Sequence, residues 1–226
     1  AEARRAPKKA GEGEYAGPLN YAYHFDARRL AEVLEARAVA LGVRHLRGLL
    51  TGVELAEDGS IARIHADAHG ALEADLFVDC SGFRAELIGK ALGSPFKSVK
   101  HQLFTDRALA CKIPYDRPDA PIESFTIAAA HEAGWTWDIG LEGARGIGCV
   151  YSSAHMSDAE AAGVLRDYIG HDDYKARIIP FEPGYREAQW LKNCVAVGLS
   201  GGFLEPLEST GVVLIEAAVG MIAELF

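Results

Sequence analysis

The sequence predicts an α/β (α+β) fold in which a strand-and-helix layer is interrupted by an inserted antiparallel sheet and then resumes. Three observations predict it. Leu30, Val33, Leu34, Ala38 and Leu41 recur at helical spacing ahead of several strand-like runs. Between about Gly93 and residue 155 the apolar runs are short, alternating and bounded by turn residues, which is the texture of an antiparallel sheet. At Cys194 the first texture returns, with an apolar strand, a Gly-rich turn and an apolar helix.

Taken in order, Asp26 predicts the N-cap of a helix that runs to Leu41 and stops at Gly42. Val43 to Leu55 reads as a strand broken at Gly52, Glu57-Asp58-Gly59 as a turn, and Ile61 to His65 as the returning strand. Leu72 to Val78 is a further strand, followed by a short helix over Arg84 to Leu92. Strand material covers Gln102 to Ile113, Glu123 to Ala130, Gly134 to Leu141 and Gly146 to Ser152. Ser157-Asp-Ala-Glu160 is a capping box that starts a helix reaching about Ile169, because Ser and Glu three apart can each satisfy the other's orphan N–H. Arg177 to Phe181, Ala188 to Trp190 and Cys194 to Val197 are strands, and Val212 to Phe226 is the last helix.

Composition narrows the function. A net charge of −9 excludes the basic field that nucleic acid binding requires. The one basic cluster, Arg4, Arg5, Lys8 and Lys9, lies beside Ala and Pro and reads as a solvated segment. Cys80, Cys111, Cys149 and Cys194 match no zinc spacing and no disulfide framework, so reduced thiols and a cytoplasmic location are expected. The final apolar run is too short to span a bilayer and carries Glu216 and Glu224, so no membrane is expected. Gly11-x-Gly13-x-x-Ala16 imitates a dinucleotide loop, but no strand precedes it and Pro18 follows. The histidines form no pair at metal-ligand spacing, and no Gly-x-Ser-x-Gly elbow supports acyl transfer.

Gly198 to Gly211 carries the strongest chemical signal. An apolar strand leads into glycines and a proline, and an apolar helix follows. Ser209 or Thr210 is placed to cap that helix, whose N-terminal N–H groups and dipole attract an anion. Glu205 and Glu208 lie in the same turn. A plain strand-to-helix turn with a favourable charge-dipole contact is the bland alternative. Asp75 to Arg84 ends an apolar strand in an acidic, Gly-containing turn, where α/β sheets place ligands. Trp135 and Trp137 share one side of a strand, either as core aromatics or as a cavity wall.

Together these segments resemble the flavin-dependent tryptophan halogenases. The matching stretches are Tyr21-Ala-Tyr-His-Phe-Asp-Ala27, Asp75-Leu-Phe-Val-Asp-Cys-Ser-Gly-Phe83, Gly134-Trp-Thr-Trp-Asp-Ile139, Val150-Tyr-Ser-Ser153, Trp190-x-x-Asn-Cys-Val-Ala-Val-Gly-Leu-Ser200 and Phe203-x-Glu-Pro-Leu-Glu-Ser-Thr-Gly211. They stand in the family's order and cover nearly all of the chain. The resemblance implies part of an FAD-binding domain of the para-hydroxybenzoate-hydroxylase-like type over residues 1–93 and 187–226, with an inserted antiparallel substrate-side sheet over 94–186.

It further implies FAD used as FADH2, oxygen, chloride or bromide, and a separate flavin reductase. The small aromatic substrate is an indole such as tryptophan. Thr210 and Gly211 correspond to the halide site, and Glu208 to a catalytic glutamate near the substrate. Leu199 and Val212 match positions that line the flavin, and Leu50 a strand residue near the adenine. Trp135 and Trp137 match the signature beside the flavin. Two positions depart from the family: Gly140 replaces a common Pro, and Cys149 replaces a common aromatic. The resemblance also implies that the Gly-rich FAD loop and a catalytic lysine lie upstream, and a helical part of the substrate pocket downstream, so that the isolated chain is an inactive internal fragment. A homodimer stays open, as do two other readings: a flavin-dependent aromatic hydroxylase or reductase of the same fold, and an inactive binding module.

Overall fold

The structure is a computed structural model that describes residues 9–13, 16 and 22–226. Arg4, Arg5, Lys8, Pro18 and Tyr21 of the sequence reading lie outside the described residues, as does the side chain of Glu208. In chain order the elements are α1 (Ala27–Ala40), β1 (Leu50–Leu55), β2 (Ile61–Ala66), β3 (Gly70–Leu72), β4 (Phe77–Asp79) and β5 (Phe96–Ser98). Then come β6 (Arg107–Pro114), β7 (Ile127–His131), β8 (Gly134–Leu141), β9 (Ala144–Tyr151), α2 (Asp158–Ile169) and β10 (Arg177–Pro180). The last are β11 (Gly184–Arg186), β12 (Trp190–Leu191), β13 (Cys194–Ala196), β14 (Gly202–Phe203) and α3 (Thr210–Leu225).

The chain forms two compact units, one of Ala1–Arg44 with Arg107–Pro180 and one of His45–Asp106 with Phe181–Phe226. These divisions differ from the 93/94 and 186/187 divisions of the sequence reading. Residues before Arg44 join the sheet unit because Lys112 donates to Asp26 at 2.7 Å and His24 bonds the Gly140 carbonyl at 3.2 Å.

The first unit is built on an antiparallel sheet of order β10-β6-β9-β8-β7. Leu109, Ile113, Ile147, Cys149 and Tyr151 bury one face of it under Ala161 and Leu165 of α2. The capping box at Ser157 and Glu160 is present, and Gly170 ends α2 at φ +90°. Asp26 caps α1 as its residue type predicts, accepting from the N–H groups of Arg28 and Arg29.

The second unit holds three small sheets, ordered β1-β2-β3, β14-β11-β5 and β12-β13-β4. Its core gathers Ile61, Phe77, Ala85, Leu87, Ile88, Cys194 and Ala196. The strand expected from Val43 begins only at Leu50, because the Asp67 carboxylate accepts from Leu49 N–H and His69 bonds the Arg47 carbonyl. The single strand expected over Leu72 to Val78 is two, since β3 pairs with β2 while β4 pairs in parallel with β13. The helix expected over Arg84 to Leu92 is a 3-10 turn followed by a π-helical turn, with Lys90 N–H bonded to the Ala85 carbonyl. β11 and β14 lie outside the strands expected from the sequence, and Ala188 to Trp190 contributes only its last residue to β12. α3 is predominantly apolar, with Glu216 and Glu224 its charged residues, yet buries none of its residues.

Among the described residues no helix is long and apolar enough to cross a membrane, and no group of three or more His, Cys, Asp or Glu side chains could hold a metal ion. All four cysteines are free thiols, with Cys149 and Cys194 buried, Cys111 half-buried and Cys80 exposed.

Candidate functional site

The second unit places two turns side by side at the carboxyl ends of two parallel strands, β4 and β13, in register Cys194 with Phe77 and Ala196 with Asp79. Parallel strands direct ligands to this end. Asp79 joins the turns. Its carboxylate accepts from Ser81 N–H at 2.9 Å, Ser81 hydroxyl at 2.6 Å, Leu87 N–H at 2.9 Å and Ile88 N–H at 2.8 Å. Its carbonyl accepts from Val197 N–H at 3.0 Å and from the Ser200 hydroxyl. Burial pushes the Asp79 carboxyl up, but the Ser81 hydroxyl and the three N–H donors outweigh it and hold the carboxyl below its ordinary value. The same burial, reinforced by the Asp79 charge, pushes the Cys194 thiol up to about 12. Within the acidic turn that the sequence offers as a ligand position, Asp79 itself is an internal fastening, with each of its oxygens engaged.

Gly198 turns the chain at φ +70°, and a Cβ there would lie 3.4 Å from Ile215, so α3 lies against this turn. Leu199 in the turn and Val212 in the first turn of α3 are both exposed. Thr210 and Gly211 open α3; Thr210 is exposed, and a Cβ on Gly211 would meet nothing within 4 Å. Ser209 occupies the N-cap position but does not cap. It sits in the left-handed region at φ +53° and its side chain makes no capping bond. The expected hydroxyl cap is thus corrected: the preceding 3-10 turn, Leu207–Ser209, twists the cap residue out of the extended backbone that a capping side chain needs. The first N–H groups of a helix have no intrahelical acceptor. An open position with a glycine, a hydroxyl and a helix N-terminus fits a small anion, and the adjoining exposed Leu199 and Val212 fit a flat apolar ring.

The structure brings Leu199, Thr210, Gly211 and Val212 to this one junction. Leu50 instead begins β1, paired with Ala66 in a different sheet of the same unit. Trp135 and Trp137 belong to the first unit, on β8. They pair with Val150 and Gly148 of β9, their rings 6.0 Å apart and tilted by 57°. Both are half-buried on the side of the sheet opposite Thr136 and Asp138, which are buried. A Cβ on Gly148 would overlap the Trp137 indole, so Gly148 is the seat on which that ring lies.

Asp138, between Trp137 and Ile139, is gripped from the other side. Arg145 bonds both its carboxylate oxygens and Tyr168 of α2 donates to it at 3.1 Å. The Arg145 guanidinium is pushed further up by this carboxylate. Neither this clamp nor the role of Asp79 was found by sequence reasoning; an acidic residue inside an otherwise apolar strand was the available signal. Cys149 holds a buried thiol 3.2 Å from His131 Nε2, and burial pushes that thiol up to about 11.

The family model described as tryptophan halogenase matches residues 1–226. The chain belongs to the tryptophan halogenase family. A tryptophan 6-halogenase of Streptomyces toxytricini is 42% identical over 208 residues, covering 91% of this chain and 40% of the relative. A tryptophan 7-halogenase of Lentzea aerocolonigenes is 36% identical over 228 residues, covering 100% of this chain and 42% of the relative. The crystal structure of a tryptophan halogenase from Shewanella frigidimarina superposes with a TM-score of 0.93 at 37% identity, covering 99% of this chain and 44% of that one. The mixed α/β fold is thus that of tryptophan halogenases, and the chain spans about 40% of the length of the curated relatives it matches.

Proposed function

We propose that the whole protein carrying these residues is an FADH2-dependent halogenase that uses oxygen and chloride or bromide to halogenate an electron-rich aromatic, tryptophan or another indole. The observation that carries the proposal is the family match over the whole chain, which includes the turn from Phe203 to Gly211. In this reading residues 1–93 and 187–226 belong to an FAD-binding domain of the para-hydroxybenzoate-hydroxylase-like type, and residues 94–186 form the substrate-side sheet. Reduced FAD, when bound, supplies the reduction of oxygen that oxidises the halide, and a separate flavin reductase renews it.

The chain's own residues hold and position. The Thr210 hydroxyl and the N–H groups at the start of α3 hold the halide, and Gly211 leaves room for it. Leu199 and Val212 would hold a flavin ring against an apolar surface, and Leu50 would lie toward the adenine. Glu208 supplies a carboxylate near the ring under substitution, where it stabilises developing positive charge. Trp135 and Trp137 are read as the flavin-associated signature of the family. The proposal places the protein in the cytoplasm.

The test is product analysis with the whole protein, FAD, a flavin reductase, tryptophan and chloride. Chlorotryptophan that disappears when chloride is withheld is the expected result. Hydroxylated product alone, indifferent to halide, would refute the proposal in favour of an aromatic hydroxylase.

A further inference from the structure

The turn that leads to Thr210 and Gly211 is firmly held at its start. Up to Phe203 the chain is held closely. Arg186 N–H donates to the Gly201 carbonyl at 2.8 Å and Gln189 Nε2 donates to the same carbonyl at 3.0 Å. β14 pairs with β11, Phe203 opposite Gly184 and Gly202 opposite Tyr185. Gly202, at φ +154°, lets those strands close up, since a Cβ there would lie 2.6 Å from the Gly184 carbonyl. The Phe203 ring then meets two others edge to face: Phe181 at 5.1 Å and 88°, and Phe83 at 5.8 Å and 81°. Phe181 is buried and its N–H is bonded to the Asp106 carbonyl at 2.9 Å.

Beyond Phe203, Leu204 and Leu207 are each 43% exposed, and Ser209 N–H bonds to the nearby Pro206 carbonyl at 3.3 Å. Phe203, with its ring packed between two others, is the side chain that fixes where the turn begins.

We propose that Phe203 is a positioning residue for halide binding, its ring held between Phe83 and Phe181 so that the Thr210–Gly211 end of the turn keeps its place. The inference rests on the reading of Thr210 and Gly211 as the halide site. Edge-to-face pairs orient as well as attract, which an aliphatic side chain of similar bulk does not do. Phe203→Leu then loosens the turn without removing any group that touches the halide.

The experiment varies chloride in the halogenation assay of the whole protein with FAD, flavin reductase and tryptophan. Phe203→Leu is expected to raise the KM for chloride about tenfold and by more than it lowers kcat, while Phe203→Tyr, which keeps both ring pairs, restores the KM to within about twofold. Thr210→Val is expected to raise the chloride KM too. A folded Phe203→Leu protein with the parental chloride KM, alongside a raised KM in Thr210→Val, overturns the positioning role alone. A parental KM in Thr210→Val as well overturns the halide reading, and the inference falls with it. If Phe203→Leu does not fold, Phe83→Leu replaces it: a raised chloride KM supports the role and a parental one overturns it.

Discussion

Replacing Asp79 by Asn tests whether the two turns at the ends of β4 and β13 are held by a charge. The Asp79 carboxylate accepts four hydrogen bonds, from Ser81 N–H and hydroxyl on one oxygen and from Leu87 and Ile88 N–H on the other. Asn has one acceptor oxygen and one NH2 group. If its oxygen faces Ser81, the N–H groups of Leu87 and Ile88 meet a donor; if it faces those two, Ser81 N–H is orphaned. Either way at least one buried donor loses its acceptor, which costs about 1–3 kcal/mol, and the remaining bonds lose the strengthening that a charged acceptor provides. The expected loss is about 2–4 kcal/mol, a large share of the roughly 5–15 kcal/mol that holds an ordinary domain together.

The assay is urea unfolding of the chain and its Asp79→Asn variant, followed by circular dichroism. The pH dependence has a definite sign. The folded carboxyl titrates below the ordinary 3.8, so its stabilisation is present above 3.8 and is lost as pH falls through the lower folded value. The gap between the two proteins should be widest above 3.8 and close under acid. A loss below about 1 kcal/mol at neutral pH, or a gap that does not narrow in acid, would refute the account of Asp79 as a charged fastening.

Three further outcomes are expected. Gly148→Ala should lower stability by about 2 kcal/mol or more, because its Cβ would overlap the Trp137 indole and lie 2.6 Å from the Leu109 carbonyl. Gly146→Ala, whose nearest neighbour is the Ile139 carbonyl at 4.0 Å, should stay within about 0.5 kcal/mol, and thermal melts of both variants check the contrast. Alkylation at about pH 8, read by peptide mass spectrometry, should label exposed Cys80 first and reach buried Cys149 and Cys194 only on unfolding. Asp26, held down to about 2 by its hydrogen bond to Lys112 and by the N–H of Arg29, stabilises the start of α1 above 3.8 and ceases to do so as pH falls through about 2. Lys112→Ala should move the NMR titration midpoint of Asp26 upward; an unmoved midpoint contradicts the pairing.

Much of this architecture is legible in the amino-acid pattern because the responsible forces are local. Asp26 and the Ser157–Glu160 box start helices with groups a few residues away, and both are found as expected. β8 runs from Gly134 to Leu141 as its alternation predicts, so the shared face of Trp135 and Trp137 follows from the pleat alone. The turn from Gly198 to Gly211 is likewise legible, since Gly, Pro, Ser and Thr between an apolar strand and an apolar helix restrict the backbone wherever they occur.

What the tertiary structure alone decided are the long-range partnerships. Nothing near Leu72 announces that the chain leaves one sheet there and joins another at Phe77, because that choice depends on β13, more than a hundred residues away. Ser209 has the composition of a cap and fails to act as one, because the 3-10 turn before it sets a backbone angle that composition does not encode. Asp79 lies in a turn whose composition does not say where its carboxylate goes; Ser81, Leu87 and Ile88 take it up, since a buried carboxylate must find donors wherever folding brings them. By itself the sequence determined the elements and the candidate chemistry, through short-range sterics and hydrogen bonding. Which polar groups remain open for a ligand, and which are spent on the fold, was decided only by packing, because that balance is struck between residues far apart in the chain.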